Sequence, residues 1–130
     1  MRNKKNIKQE YIYKCKVVHI VDGDTIDVDI PLGFGINKMK QRCRTYNIDT
    51  PESRTRNKAE KKLGLASKAR MKELCGKEVY VESLDGGKLD KYGRLLANLF
   101  TLEGINIAKL LIDEGHAVKY DGGKKKHVWA

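Results

Sequence analysis

Asp24, in the run VDGDTIDVD at 21–29, and Asp49, in IDTPES at 48–53, are the carboxylates whose positions point to shared chemistry. Asp49 sits where a strand ends and Pro51 forces the chain out of the sheet, which makes it a well-fixed ligand. Asp24 and Asp49 belong to neighbouring strands and can converge on one point. Two converging carboxylates repel each other unless something positive lies between them. A hard divalent cation, Ca²⁺ or Mg²⁺, is the natural occupant, because such ions take oxygen ligands. An EF-hand is excluded: a loop counted from Asp22 puts Ile26 at its fifth position, Asp27 where the turn glycine belongs and Gly33 where the final Glu belongs. Arg44 precedes Asp49 on the same strand, and Arg94 closes the loop LDKYGR. The planar guanidinium fork bonds two phosphate oxygens at once. Glu52, just past the acidic cluster, is free to position or deprotonate water. Cation, carboxylates and arginines together describe a site for phosphoryl chemistry, with charge neutralised as it builds in the transition state.

The other acids of the first cluster have plainer readings. Asp22-Gly23 is a turn signal. Asp27 and Asp29 alternate with Ile26 and Val28 and are expected to face solvent. Asp24 and Asp49 themselves could instead cap backbone N–H groups in turns. Arg44 alternates with Arg42, and the pair reads equally as surface basics of an edge strand.

The elements that must position these groups follow from periodicity. YIYKCKVVHIV from Tyr11 is rich in β-branched and aromatic residues and reads as a strand, as does the segment at about 25–30. PLGFGIN reads as a long hairpin connection, and a third strand covers about 38–48. A helix is expected from Ala59 to Cys75, with Ala59, Leu63, Ala66, Ser67, Met71 and Leu74 on one face and Gly76 ending it. Arg70 falls on that same face for no reason the pattern supplies. KEVYVESL and RLLANLFT are the fourth and fifth strands, separated by the glycine-rich loop DGGKLDKYG. A short helix at about 106–114 buries Ile107, Leu110 and Leu111, and AVKY is a brief extended piece. Five strands, with a helix between the third and fourth and a short helix after the fifth, indicate a small β-barrel with helices of the OB type; an open α+β sheet is the alternative.

The whole chain of 130 residues bounds these readings. Its hydrophobic fraction of 40% fits one globular domain. A basic arm is expected at 1–10, the folded domain at 11–120 and a basic tail at 121–130. The net charge of +10 attracts polyanions, nucleic acid above all, although a solubilising surface would look the same. Cys15, Cys43 and Cys75 form no CxxC pair, and His19, His116 and His127 form no ligand pair, so zinc and redox motifs are absent. Free buried thiols and an N-terminus without an apolar run give the expectation of a cytoplasmic chain with no membrane partner, or a secreted one if a leader had been removed.

DGDT at 22–25, Arg44 with IDTPES at 48–53, and DKYGR at 90–94, in this order, resemble the staphylococcal (micrococcal, thermonuclease) nuclease family from about Tyr11 to Tyr120. The resemblance implies a five-stranded OB-fold barrel and Ca²⁺-dependent hydrolysis of phosphodiester bonds in DNA and RNA, giving 5′-hydroxyl and 3′-phosphate ends. It implies one Ca²⁺ held by Asp24, Asp49 and the backbone carbonyl of Thr50. Glu52 would handle the attacking water, and Arg44 and Arg94 would hold the scissile phosphate. Lys91 and Tyr92 would contact a neighbouring phosphate, and Tyr120 would stack a base, although Tyr92 and Tyr120 also read as packing aromatics. A monomer acting preferentially on single strands is expected. Three departures from the family's secreted members stand out: the glycine-rich PLGFGIN connection, a longer helix before Gly115, and no further helix expected after Tyr120. The alternative function is a catalytically weak nucleic-acid-binding module of the same fold. Degenerate modules of that kind lose acids or arginines that are all present here.

Overall fold

The strand that carries Ile26, Val28 and Ile30 does not stop at Pro31. In a computed structural model of the chain, which describes residues 10–121 together with Gly123, His127 and Trp129, the first three strands are β1 (Ile12–Asp22), β2 (Thr25–Gly33) and β3 (Ile36–Thr45). The expected basic arm, apart from Glu10, and much of the expected basic tail lie outside the described residues. PLGFGIN is therefore not a long connection. β2 and β3 run on as a ribbon and meet at Phe34-Gly35, with φ of 58° and 75°. A turn of that hand matches the twist of the strands it joins. Pro31 pairs with Asn37 near the ribbon's end, where a missing N–H is tolerated. A register shift between Val28 and Ile30 is filled by Lys40, whose φ is 51° and whose N–H donates to Asp29 Oδ1 at 2.9 Å.

The third strand ends at Thr45 rather than 48. Thr45 N donates to Asp24 O and Tyr46 N to Ala97 O, and Asn47, with φ of 67°, turns the chain away. The two residues β4 (Ile48–Asp49) then pair outside the barrel with β7 (Val118–Lys119), the brief extended piece expected at AVKY. β5 (Glu78–Ser83) and β6 (Leu95–Phe100) complete a closed barrel in the order β1-β2-β3-β6-β5. The β3–β6 pair is parallel, Cys43 opposite Leu95 and Thr45 opposite Ala97, and the other pairs are antiparallel. This is the expected barrel with its two helices, α1 (Lys58–Cys75) and α2 (Ile107–Asp113).

Alternating inward residues fill the barrel: Ile26, Val28, Cys43, Val79, Val81, Ala97 and Leu99 are all 0% exposed. Each large aliphatic among them contributes about 1.5–3 kcal/mol of burial. The helix α1 rests on β1 and α2 by only part of the expected face: Ser67 and Met71 are buried and Leu74 packs on the core, but Ala59, Leu63 and Ala66 are exposed. Gly64, Ser67, Met71 and Cys75 are its buried residues, while Leu63 and Leu65 are 42% and 49% exposed. Glycine holds the inner face at position 64 because backbone of Glu52 and Ser53 lies directly against it. Asn57 caps the helix by accepting from Glu60 N. Arg70 has its reason in α2: Nε and Nη2 donate to Glu114 at 2.6 and 2.8 Å, tying the two helices together. In α2, Ile107, Ala108 and Leu111 are buried and Leu110 only partly so. Among the described residues no helix is long and apolar enough to cross a membrane.

Burial leaves all three thiols free and pushes each up to about 12. We expect the folded protein at about pH 8 to react negligibly with a thiol reagent over minutes, and the protein in guanidinium to titrate three thiols. A fast-reacting equivalent in the folded state would show that the barrel opens locally at that cysteine.

Candidate active site

Asp24 occupies the tight turn between β1 and β2, and its carboxylate is fixed from two sides. Thr25 Oγ1 donates to Asp24 Oδ1 at 2.9 Å, and Thr50 N donates to Oδ2 at 3.3 Å. The second bond brings the IDTPES segment to the turn. That segment is held at every step. Pro51 is fully buried, Glu52 N donates to Glu60 Oε2 at 3.0 Å, and Ser53 donates through both its N–H and its hydroxyl to Asp22 Oδ1. Asp22 therefore does more than shape the turn: it anchors the segment that carries Asp49. Two glycines permit this approach. A Cβ on Gly23 would lie 2.8 Å from Ser67 Cβ and 3.1 Å from Thr50 Cβ. A Cβ on Gly64 would lie 2.3 Å from the Glu52 carbonyl oxygen.

Arg44 joins the two acids. It faces away from the core, since Gln41, Cys43 and Thr45 are the buried positions of β3. Its Nη1 stands 3.5 Å from Asp24 Oδ2 and its Nη2 3.8 Å from Asp49 Oδ1, while Nη1 also donates to Thr45 O at 3.0 Å. The carboxylate contacts are longer than direct hydrogen bonds, so the acids orient the guanidinium without occupying it. Its side chain is 13% exposed, those of Asp24 and Asp49 11% and 6%. In so sheltered a place charges interact strongly. The Arg44 guanidinium carbon also lies 5.9 Å from the centroid of the Tyr120 ring, a cation–π contact. Tyr120 N donates to Asn47 O, which places the ring beside the site.

A second group forms around Asp90, which the sequence reading passed over. Its carboxylate accepts from Tyr92 N and Arg94 N at 2.9 Å and from Arg94 Nε at 2.8 Å. Desolvation would raise this carboxyl, but the bonds from Arg94 and Tyr92 hold it below its ordinary value. Arg94 and Lys91 stand 5.4 and 5.2 Å from the Tyr92 ring centroid. The signal was present in the sequence: an aspartate opening a tight loop that returns through a glycine, here Gly93 with φ of 76°. Because Cys43 pairs with Leu95 in parallel register, Arg94 lies on the same outer face as Arg44, one strand over. Strand spacing and rise put their Cα atoms about 8 Å apart.

The structure thus brings Asp24, Asp49, Thr50, Arg44 and Tyr120 together, while Lys91, Tyr92 and Arg94 form a separate group around Asp90 at the start of the neighbouring strand. Glu52 is held through its backbone. Its side chain is exposed and makes no hydrogen bond or ion pair among the described residues. Arg42 is turned to Asp27 instead, in a two-bond pair at 2.9 and 3.2 Å, so Asp27 is engaged rather than merely solvated. Among the described residues no three of His, Cys, Asp and Glu assemble as a metal cluster. A cation here would draw on two carboxylates, backbone carbonyl oxygen and water, a donor set suited to hard ions. Thr50 Oγ1 is buried and has no partner among the described residues.

A sequence profile described as staphylococcal nuclease homologue matches residues 42–128, more than half of the chain. The chain belongs to the staphylococcal nuclease family. It is 35% identical over 110 residues to endonuclease YncB of Bacillus subtilis (strain 168), covering 84% of this chain and 49% of that protein. It is 40% identical over 116 residues to an uncharacterized protein of Bacillus anthracis, covering 88% of this chain and 51% of the other. An uncharacterized endonuclease of Escherichia coli O157:H7 is 32% identical over 107 residues, covering 82% of this chain and 60% of that protein. The chain therefore spans about half the length of the curated relatives it matches. Two of these three relatives carry the name endonuclease.

Gly64→Ala should destabilise the protein by about 1–3 kcal/mol in denaturant melts, because the added methyl overlaps backbone that cannot swing aside. An unchanged midpoint would show that the 50–53 segment shifts freely.

Proposed function

We propose that this chain is a Ca²⁺-dependent nuclease that hydrolyses phosphodiester bonds of DNA and RNA to 5′-hydroxyl and 3′-phosphate ends. The observation that carries the reading is Arg44 poised between the buried carboxylates of Asp24 and Asp49, at 3.5 and 3.8 Å. Two acids and one guanidinium sum to a single negative charge. A divalent cation would turn the cluster net positive, as a phosphate requires. Asp24, Asp49 and the Thr50 carbonyl are the groups that would hold it. When bound, Ca²⁺ supplies polarisation of the phosphoryl oxygen and a charge that offsets the one developing on phosphorus.

The rest is done by side chains. Arg44 and Arg94 bind non-bridging oxygens of the scissile phosphate and orient it for in-line attack. Glu52 accepts a proton from the attacking water or holds it in line. As the new P–O bond forms, the P–O5′ bond breaks and the departing oxygen takes up a proton. Lys91 and Tyr92 grip a neighbouring phosphate, and Tyr120 offers its ring to a base.

The test is the fate of single-stranded DNA with and without added Ca²⁺. Degradation should require the ion and stop on chelation, and full activity in chelator would remove the cation from the reaction. Asp24→Ala should weaken Ca²⁺ binding measured by calorimetry, and an unchanged affinity would rule out Asp24 as a ligand. Arg94→Lys should lower kcat/KM by about a hundredfold or more, since a point charge cannot reproduce the fork. A loss of less than about tenfold would place Arg94 outside the reacting group.

A further inference from the structure

The ribbon formed by the ends of β2 and β3 has no evident role in the barrel. Residues 31–40 are all exposed, and Phe34 at the tip is 100% exposed. Leu32, Ile36 and Met39 are 47%, 57% and 61% exposed on the same ribbon. So much apolar surface on one projection marks a contact site. The ribbon's charge indicates with what. No acidic residue occurs between Asp29 and Asp49, whereas Lys38, Lys40, Arg42 and Arg44 succeed one another along β3. Asp29 itself is engaged by Lys40 N.

Beneath the ribbon a groove of about 290 Å³ is lined by Tyr11, Tyr13, Leu32, Lys38 and Leu89. Ser83 also lines it; this residue is 8% exposed, and its buried hydroxyl has no partner among the described residues. Gln41 in the groove's wall donates to the carbonyl of Gly93, which ties the groove to the loop that carries Arg94. Apolar and aromatic walls, one unspent hydroxyl and a cation at the rim suit a planar ring with a polar edge and an attached negative charge.

We infer that the ribbon and its groove form a second grip for single-stranded nucleic acid, apart from the scissile phosphate. Phe34 stacks on an unpaired base, the groove takes another with Ser83 Oγ at its polar edge, and Lys38 meets the backbone. A single strand offers free base faces and edges, as a duplex does not. A second copy of this chain would bring the same +10 charge against the lysines. An anionic bilayer matches the charge but has no ring for the groove. Ten residues separate Phe34 from Arg44 along β3, about 30 Å of strand, so only a strand of several nucleotides reaches both. The inference rests on the reading of this chain as acting on nucleic acid and adds where the strand is held.

The test uses the full chain in chelator and a labelled oligothymidylate of about 16 nucleotides, long enough for the largest OB-fold sites. Phe34→Ala should weaken binding at least about fivefold, while kcat/KM on a dinucleotide, too short to reach the ribbon, stays unchanged. Ser83→Ala should also weaken binding, with a thermal midpoint unchanged or raised, because it removes an unsatisfied buried hydroxyl. If the wild type cleaves DNA and Phe34→Ala binds the oligonucleotide as tightly, the grip is overturned and the proposed function stands. A wild type that neither binds nor cleaves would overturn both. If Phe34→Ala instead lowers cosedimentation with phosphatidylglycerol vesicles, or shifts the oligomeric state, with oligonucleotide affinity intact, the ribbon serves a bilayer or a second copy and the inference fails.

Discussion

Three stretches of backbone approach one another more closely than side chains would allow, and the site exists because they do. The β1–β2 turn at Gly23, the 50–53 segment and the helix α1 at Gly64 stack in sequence, and a Cβ at either glycine would meet a neighbour within 3 Å. Packed interiors do not yield by that amount without cost. The approach lets Thr50 N reach Asp24 and Ser53 reach Asp22, which brings Asp49 within range of the same guanidinium as Asp24. It also determines which face of α1 turns inward, because only Gly64 and Ser67 leave room. Barrel, helix and acids are thus locked by one steric condition rather than by several independent ones.

Electrostatics then divides the molecule into two scales. At long range the chain is strongly positive, with 27 basic residues against 17 acidic, which draws polyanions from any direction. At short range the heart of the site is acidic, two buried carboxylates against one guanidinium. A polyanion attracted by the first field would be repelled by the second unless a cation intervened. The acids and arginines therefore make sense as a set and not singly. Asp90 works the same way at the rim: it holds Arg94 by Nε and by its backbone, leaving the terminal nitrogens without a hydrogen-bond acceptor among the described residues.

Much of this could be read from the sequence where local chemistry decides the outcome. The strands and both helices follow from alternation and glycine stops, whereas Asp49 reaches Arg44 from β4 and not, as expected, from the same strand. What escaped depended on distant partners. Periodicity finds Ser67, Met71 and Leu74 on the inner face of α1 but also favours Leu63, whose place is taken by Gly64 because backbone arrives there from residue 52. Arg70 looked anomalous because its partner Glu114 lies in the other helix. PLGFGIN looked like a loop because Pro31, Gly33 and Gly35 break strands in general. Here two of those residues serve the ribbon's tip, and the third occupies its end. Asp22 was assigned to turn geometry because Ser53, its hydrogen-bond donor, is 31 residues away.

The parallel pairing of β3 with β6 has one further implication. It joins segments more than fifty residues apart, as the bond from Gln41 to Gly93 shows, and nothing local holds Arg44 beside Arg94 before that seam forms. Closing so wide a loop is entropically slow and is rewarded only when most of the native packing is in place. During synthesis the first arginine leaves the ribosome long before the second, so a nascent or truncated chain carries the separate parts without the assembled centre. Whatever the two arginines do together therefore waits on closure of the whole barrel.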